Sequence, residues 1–221
     1  MNWLTDYVKP KLSSLVSRKD PPSDLWTKCG CGERTLYVSD LKENLNVCSY
    51  CDFHMGMDVN SRLKNLFDNE NYELIEVPFE NNDPLKFKDL KKYTDRMKAA
   101  QKKTDQKDAA ILAKGEIGST KVVVFILDFN FMGGSMGGTV GTKFVKAVQT
   151  AIDKSLPLIC FSTSGGARMQ ESMVSLMQMA KTAAALEKLR ERSLPYFSVM
   201  IDPIFGFGFP FNFIHRFAHK V

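Results

Sequence analysis

The stretch "AAILAKGEIGSTKVVVFILDFNFMGGSMGGTVG", residues 109–141, decides how the rest of the chain is read. Two β-prone runs are joined by "KGEIGST", and the second, "KVVVFIL", is apolar at every position after its lysine, as suits a strand buried on both faces. "FMGGSMGGTVG" then breaks the run. "TKFVKAVQTAIDKS" follows as an amphipathic helix with Phe144, Val145, Val148 and Ile152 inward. "LPLICFST" is a third strand, "SGGAR" a turn, "MQESMVSLMQMAKTAAALEKLRER" a long helix and "LPYFSVMID" a fourth strand. Strand, glycine turn, helix, strand occurs twice, which predicts an α/β domain of ββα repeats.

Upstream, residues 58–108 read as a basic helical connector. Val59, Leu63, Leu66 and Phe67 form one stripe, with Asn60 or Ser61 as the expected cap. Residues 86–107 carry nine Lys/Arg against three Asp, much of the net charge of +5. A solvated helical face is the plainer reading of this run, and a surface for a polyanion, either nucleic acid or the phosphates of a coenzyme, is the sharper one. Residues 1–24 form an N-terminal arm closed by "KDPPSD".

Between arm and connector, residues 25–57 hold Cys29, Cys31, Cys48 and Cys51. Two close cysteine pairs across a 16-residue spacer match a four-thiolate zinc ribbon, structural because no coordination position is left open. The first pair is Cys-x-Cys, one residue tighter than the usual knuckle. His54 reads as a surface histidine, and Cys160, inside "LPLICFS", as a buried core thiol.

The glycine corners are the places for chemistry. In "STSGGARMQE", Ser164, Gly165, Gly166, Ala167 and Arg168 join a strand to a helix, where bare amides meet an anion or a developing oxyanion. A tight turn needing positive φ is the plainer reading of the same glycines. "FMGGSMGGTVG" lacks the Gly-Lys-Ser/Thr ending of a P-loop and the Gly-x-Gly-x-x-Gly spacing. The methionines of "MQESMVSLMQMAK" recur at helical spacing and are expected in the core. Only three histidines exist, His54, His215 and His219, and none completes a triad.

Taken in order, "LWTKCGCGE", "DLKENLNVCSYC", "PLKFKDLKKYTDRMKAAQKKTDQKDA", "FNFMGGSMGGTVGTKFVKAV", "LPLICFSTSGGARMQESMVSLMQMAKTAAAL" and "LPYFSVMIDP" resemble the carboxyltransferase beta subunits of multisubunit acetyl-CoA carboxylases. The resemblance implies a zinc ribbon ahead of a crotonase-like domain. It implies transfer of a carboxyl group from carboxybiotin on the biotin carboxyl carrier protein to acetyl-CoA, giving malonyl-CoA. It also implies an alpha subunit as partner in an alpha2beta2 assembly, and a separate biotin carboxylase that consumes ATP. Gly165, Gly166 and Gly206 become catalytic candidates through their amides, with Ser164, Ala167 and Arg168 binding substrate and one Zn2+ held by the four cysteines. The expected location is cytoplasmic, in a bacterium rather than a plastid stroma.

Two departures stand out. Gly32 occupies the place of the second knuckle cysteine. After Asp202-Pro203 the chain reads Ile204-Phe205-Gly206-Phe207, so Gly206 fits the first glycine of the family's pair and Phe207 replaces the second. The domain is therefore expected to be incomplete, truncated or frameshifted, with an aberrant tail from about residue 204. The alternative function is a non-catalytic zinc-ribbon module that binds the alpha subunit or nucleic acid. No run of about 18 apolar residues predicts a membrane span.

Overall fold

The computed structural model describes residues 25–78, 83 and 85–204, with the backbone alone at 202–204. The arm, the tail and Gly206 lie outside them. The chain divides into two compact units, Met1–Met57 and Asp58–Val221.

In the first unit, β1 (Trp26–Lys28) and β2 (Thr35–Tyr37) pair antiparallel, with Thr27 opposite Leu36, and α1 (Val38–Glu43) follows. Its interior is small: Cys29, Leu36, Leu41 and Cys48, with Met55 packed against them. Trp26 and Tyr37, opposite one another across the pair, meet outside with ring centroids 5.1 Å apart and planes tilted by 57°.

The second unit is built on a five-stranded sheet. After α2 (Val59–Leu66) come β3 (Tyr72–Leu74), α3 (Tyr93–Thr104), β4 (Ala110–Ile117), β5 (Thr120–Leu127), α4 (Gly138–Lys154), β6 (Leu158–Ser164), α5 (Met173–Glu191) and β7 (Tyr196–Ile204), and the strands lie in sequence order. The pairs β3–β4 and β4–β5 are antiparallel, while β5–β6 and β6–β7 are parallel, with Phe125 beside Cys160 and Cys160 beside Ser198. The β4–β5 hairpin closes on Gly118 and Ser119, both at positive φ (56° and 63°), the conformation a two-residue hairpin turn needs. The Asp68 carboxylate accepts both turn amides, at 3.0 and 2.8 Å, and they hold its pKa below the usual carboxylate value.

The apolar run of β5 is explained by burial on both faces. Val123, Phe125 and Leu127 point with Leu112 and Cys160 toward α3, α4 and α5, whereas Val122, Val124 and Ile126 point with Ile111 and Phe161 toward α2. Phe144 of α4 meets Phe125 edge-on at 5.2 Å. Cys160 is fully buried as expected, and burial pushes its thiol up to about 12.

Three local expectations are corrected. The cap of α2 is Asp58, whose carboxylate accepts the Ser61 amide at 2.9 Å, two or three residues before the expected position. The helix after the glycine turn starts at Gly138 rather than Thr142. The methionines Met169, Met173 and Met177 are exposed, and the buried side of α5 begins instead with Ser175, Gln178 and Thr182. Close approach is the reason: a Cβ on Gly141 of α4 would stand 2.0 Å from the Gln178 amide oxygen, so α5 faces α4 with polar side chains that fold back onto backbone carbonyls.

Candidate active site and cysteine centre

The carboxyl ends of β5 and β6 open side by side, the position where parallel sheets place their sites. Beyond β5 the Asp128 carboxylate accepts the Asn130 amide at 2.9 Å, and the chain turns through Met132–Gly134. Beyond β6 it turns through Ser164–Arg168. The two turns interlock: Gly165 N–H donates to Gly133 O (2.7 Å), Ser164 Oγ to Gly134 O (2.8 Å), Met136 N–H to Gly166 O (2.9 Å), and Arg168 N–H to Met136 O (3.1 Å). Glycine is required at 134, where φ is +63° and a Cβ would lie 2.5 Å from Thr163 O, and at 166, where φ is +108°.

These bonds sort the expected site residues. The Gly165 amide is spent on Gly133, and the Gly166 amide donates to Ser164 Oγ at 3.0 Å. In this arrangement neither N–H faces outward, so both glycines shape the corner instead of donating from it. Ala167 differs. Its neighbours on either side make the ladder to Met136, which turns its own peptide groups away, and its N–H takes no hydrogen bond among the described residues. Ala167 is half-buried and Gly165, two residues before it, is exposed, so the unpaired amide belongs to a partly exposed turn.

Arg168 does not reach outward for a phosphate. Its side chain is fully enclosed, pairing with Asp108 through Nη2–Oδ1 (2.7 Å) and Nη1–Oδ2 (3.2 Å). Nε donates to Ser135 Oγ (3.1 Å), Nη2 to Ser135 O (2.8 Å) and Nη1 to Glu171 Oε1 (3.4 Å). Burial, the largest single influence, opposes the charge, but the Asp108 carboxylate and the Tyr93 oxygen together outweigh it and the pKa is raised. The guanidinium thus clamps one glycine turn to the other.

Sequence reasoning missed Asp108, Ser135, Glu171 and Tyr93. Asp108 stands 60 residues before Arg168 in the chain, and nothing local marks the two as partners. Lys143, also unforeseen, is buried with Nζ donating to Ala110 O at 2.6 Å, and burial lowers its pKa.

In the first unit the sulfurs of Cys29, Cys31 and Cys51 lie within 4.8 Å of one another, with Cys29 and Cys51 3.5 Å apart. Tetrahedral thiolates at about 2.3 Å from zinc lie about 3.8 Å from each other, so the spacing suits that ion. Cys48 is fully buried, and its thiol interacts with Cys51 and Cys29. Each sulfur meets a backbone N–H two residues on: Cys31 for Cys29, Glu33 for Cys31, Tyr50 for Cys48 and Phe53 for Cys51. The amides of Glu33 and Tyr50 pull the Cys31 and Cys48 thiols below their ordinary value. Cys29 and Cys51 are raised despite their amides, because burial and neighbouring sulfurs, those of Cys31, Cys48 and Cys51 around Cys29 and those of Cys48 and Cys31 around Cys51, oppose further negative charge. A divalent cation at the centre removes that conflict, so the donor set fits zinc. The tight Cys-x-Cys pair is accommodated by Gly32, whose φ of +80° turns the chain immediately after Cys31. His54 is exposed and outside the sulfur group.

Comparison with known proteins places the α/β unit. Residues 75–209 match the carboxyl transferase domain. The chain belongs to the carboxyl transferase domain family, and its α/β fold is crotonase-like. A relative from Jannaschia sp. (strain CCS1), acetyl-coenzyme A carboxylase carboxyl transferase subunit beta, is 47% identical over 207 residues, covering 93% of this chain. This chain spans 65% of that relative's length. Transcarboxylase 12S, solved with methylmalonyl-coenzyme A and methylmalonic acid bound, aligns with 65% of this chain and 25% of its own at 27% identity, with a TM-score of 0.50. A Pseudomonas malonate decarboxylase hetero-tetramer aligns with 75% of this chain and 56% of its own at 20% identity and a TM-score of 0.50, a likeness of fold alone. Among the described residues no helix is long and apolar enough to cross a membrane.

Proposed function

We propose that this chain is a beta-type carboxyltransferase subunit of acetyl-CoA carboxylase, which moves a carboxyl group from carboxybiotin to acetyl-CoA to give malonyl-CoA. The observation that carries the reading is the open Ala167 amide at the carboxyl ends of β5 and β6, in a chain 47% identical to a relative bearing that name. Loss of the α-proton of the thioester puts negative charge on its carbonyl oxygen, and a fixed N–H at that oxygen lowers the barrier. The α-carbon then bonds to the carboxyl carbon as the bond from that carbon to the biotin nitrogen breaks, and the α-proton ends on that nitrogen.

Within this reading Ala167 supplies the donor, Gly165 leaves the rim free of side chain, and Ser164 and Gly166 fix the turn. Gly206 is a further proposed amide donor outside the described residues. Arg168 holds the corner from beneath. The four cysteines hold one structural Zn2+. An alpha subunit completes the site, a biotin carboxyl carrier protein delivers carboxybiotin, and a biotin carboxylase consumes the ATP, all in the bacterial cytoplasm. The test mixes zinc-loaded chain with the alpha subunit and measures malonyl-CoA-dependent carboxylation of biotin together with acetyl-CoA binding. Carboxylation that depends on both polypeptides is expected. Absence of both signals from folded protein ends the reading.

A further inference from the structure

We propose that Tyr93 is a positioning residue for carboxyl transfer, acting on the Ala167 amide through Glu171 and Arg168. The inference rests on the carboxyltransferase reading and adds to it a residue of the basic connector.

The α3 helix presents lysines to solvent and buries only Tyr93, Met97 and Ala100. Met97 and Ala100 fill space, but a buried hydroxyl costs free energy unless it is bonded, and phenylalanine would fill the same volume without that cost. The Tyr93 hydroxyl donates to Glu171 Oε1 at 2.5 Å. Burial, first among several causes, raises its pKa, so it remains a proton donor at neutral pH.

Glu171 is the junction. Its Oε1 takes Tyr93 Oη and Arg168 Nη1, and its Oε2 takes the Gly138 amide at 2.6 Å, the first residue of α4. One carboxylate therefore ties together α3, the glycine turn that leads into α4, and the corner that carries Ala167. The fit is close: a Cβ on Gly137 would stand 2.5 Å from Glu171 Oε1 and 2.8 Å from Arg168 Nη1. The same Arg168 grips Ser135 from the other side, and its own N–H bonds Met136, the residue laddered beside Ala167. Without the Tyr93 hydroxyl, Glu171 has one donor fewer and draws on Arg168 and Gly138, whose positions set the spacing of the two turns. A misplacement of about 1 Å in such a site costs on the order of a hundredfold in rate.

Tyr93→Phe retains the ring that packs in the core and loses the hydroxyl alone. With alpha subunit present, kcat for malonyl-CoA-dependent biotin carboxylation is expected to fall about tenfold or more, with KM for the CoA thioester nearly unchanged, since the interaction lost acts on transition-state charge. Amide hydrogen exchange of the same variant is expected to accelerate at Gly138 and Arg168 while Val124 and Phe125 in β5 keep their protection. Unchanged kcat with an active wild type overturns the positioning role and leaves the carboxyltransferase reading standing. Exchange accelerated equally across β5 also overturns it, because Tyr93 then contributes only to overall stability. An inactive wild type overturns both.

Discussion

The cysteine unit and the sheet unit stay folded by different forces. In residues 25–57 the buried set is two cysteines, two leucines and part of a methionine, far too little apolar surface to order the segment. From Asp58 onward the central strand β5 is covered on both faces, with Phe125, Phe131 and Phe144 fully enclosed. The contrast extends to charge. Sulfurs crowd together among the described residues of the first unit, whereas in the second a buried arginine faces two carboxylates. The first is therefore expected to depend on something bound, and the second on its own packing and one internal ion pair.

Metal removal breaks that contrast most sharply. Structural zinc contributes roughly 10–16 kcal/mol in small thiolate sites, and that binding energy is folding energy. Chelation is expected to expose residues 25–57 to trypsin and release one zinc per chain, measured by a chromogenic chelator, while β4–β7 remains protected. Cys48→Ser should behave as the chelated protein does. Equal loss of protection in both units would show that the division of forces is wrong.

Within the sheet unit, the largest effect is expected at Asp108. Asp108→Ala leaves the Arg168 guanidinium buried without its main counter-charge, and breaking a buried pair from one side costs about 3–5 kcal/mol. Denaturant unfolding measures it, and the zinc stoichiometry should not change.

Acid sharpens the same comparison. Protonation competes with the metal for thiolate, so the cysteine unit is expected to lose zinc first as pH falls. In the sheet unit the turn amides of Ser119 and Gly118 depress the pKa of Asp68. A depressed carboxylate contributes stability above its unfolded value of about 4, and that contribution is lost as pH falls through the lower folded value. Circular dichroism of the sheet should thus persist below the pH at which zinc appears in solution, and Asp68→Asn should flatten the remaining acid limb.

Periodicity made the sheet legible. The β5 and β6 runs, the glycine breaks and the α4 stripe all follow from how strands and helices are buried, so Phe144 and Val148 were readable directly. Cysteine spacing made the sulfur centre legible for the same reason: a metal requires donors close together, and here they are close in sequence. The corner's hydrogen bonds were not legible. That the Gly165 amide is taken by Gly133 O, and that Arg168 turns inward to Asp108, depends on two turns meeting after the strands pair. A pattern of residue types records which amides exist and says nothing of which are already used. Tyr93 was hidden by its company, one aromatic among lysines.

The methionines of α5 give the smallest expected effect and the clearest test of why one face was misread. Met173 and Met177 are more than half exposed, while Ser175, Gln178 and Thr182 of the same helix are buried. Hydrophobicity alone would place them the other way round. The arrangement holds because α4 approaches through Gly138 and Gly141, leaving room only for side chains that return to the helix backbone, as Gln178 does to Val174 O and Thr182 to Gln178 O. Replacing Met173 and Met177 by glutamine should therefore leave unfolding free energy within about 0.5 kcal/mol of the parent, as for ordinary surface positions. Gly141→Ala should cost more, since its Cβ must displace the Gln178 side chain. The reverse order in a denaturation series would mean that α5 turns its methionines inward in solution.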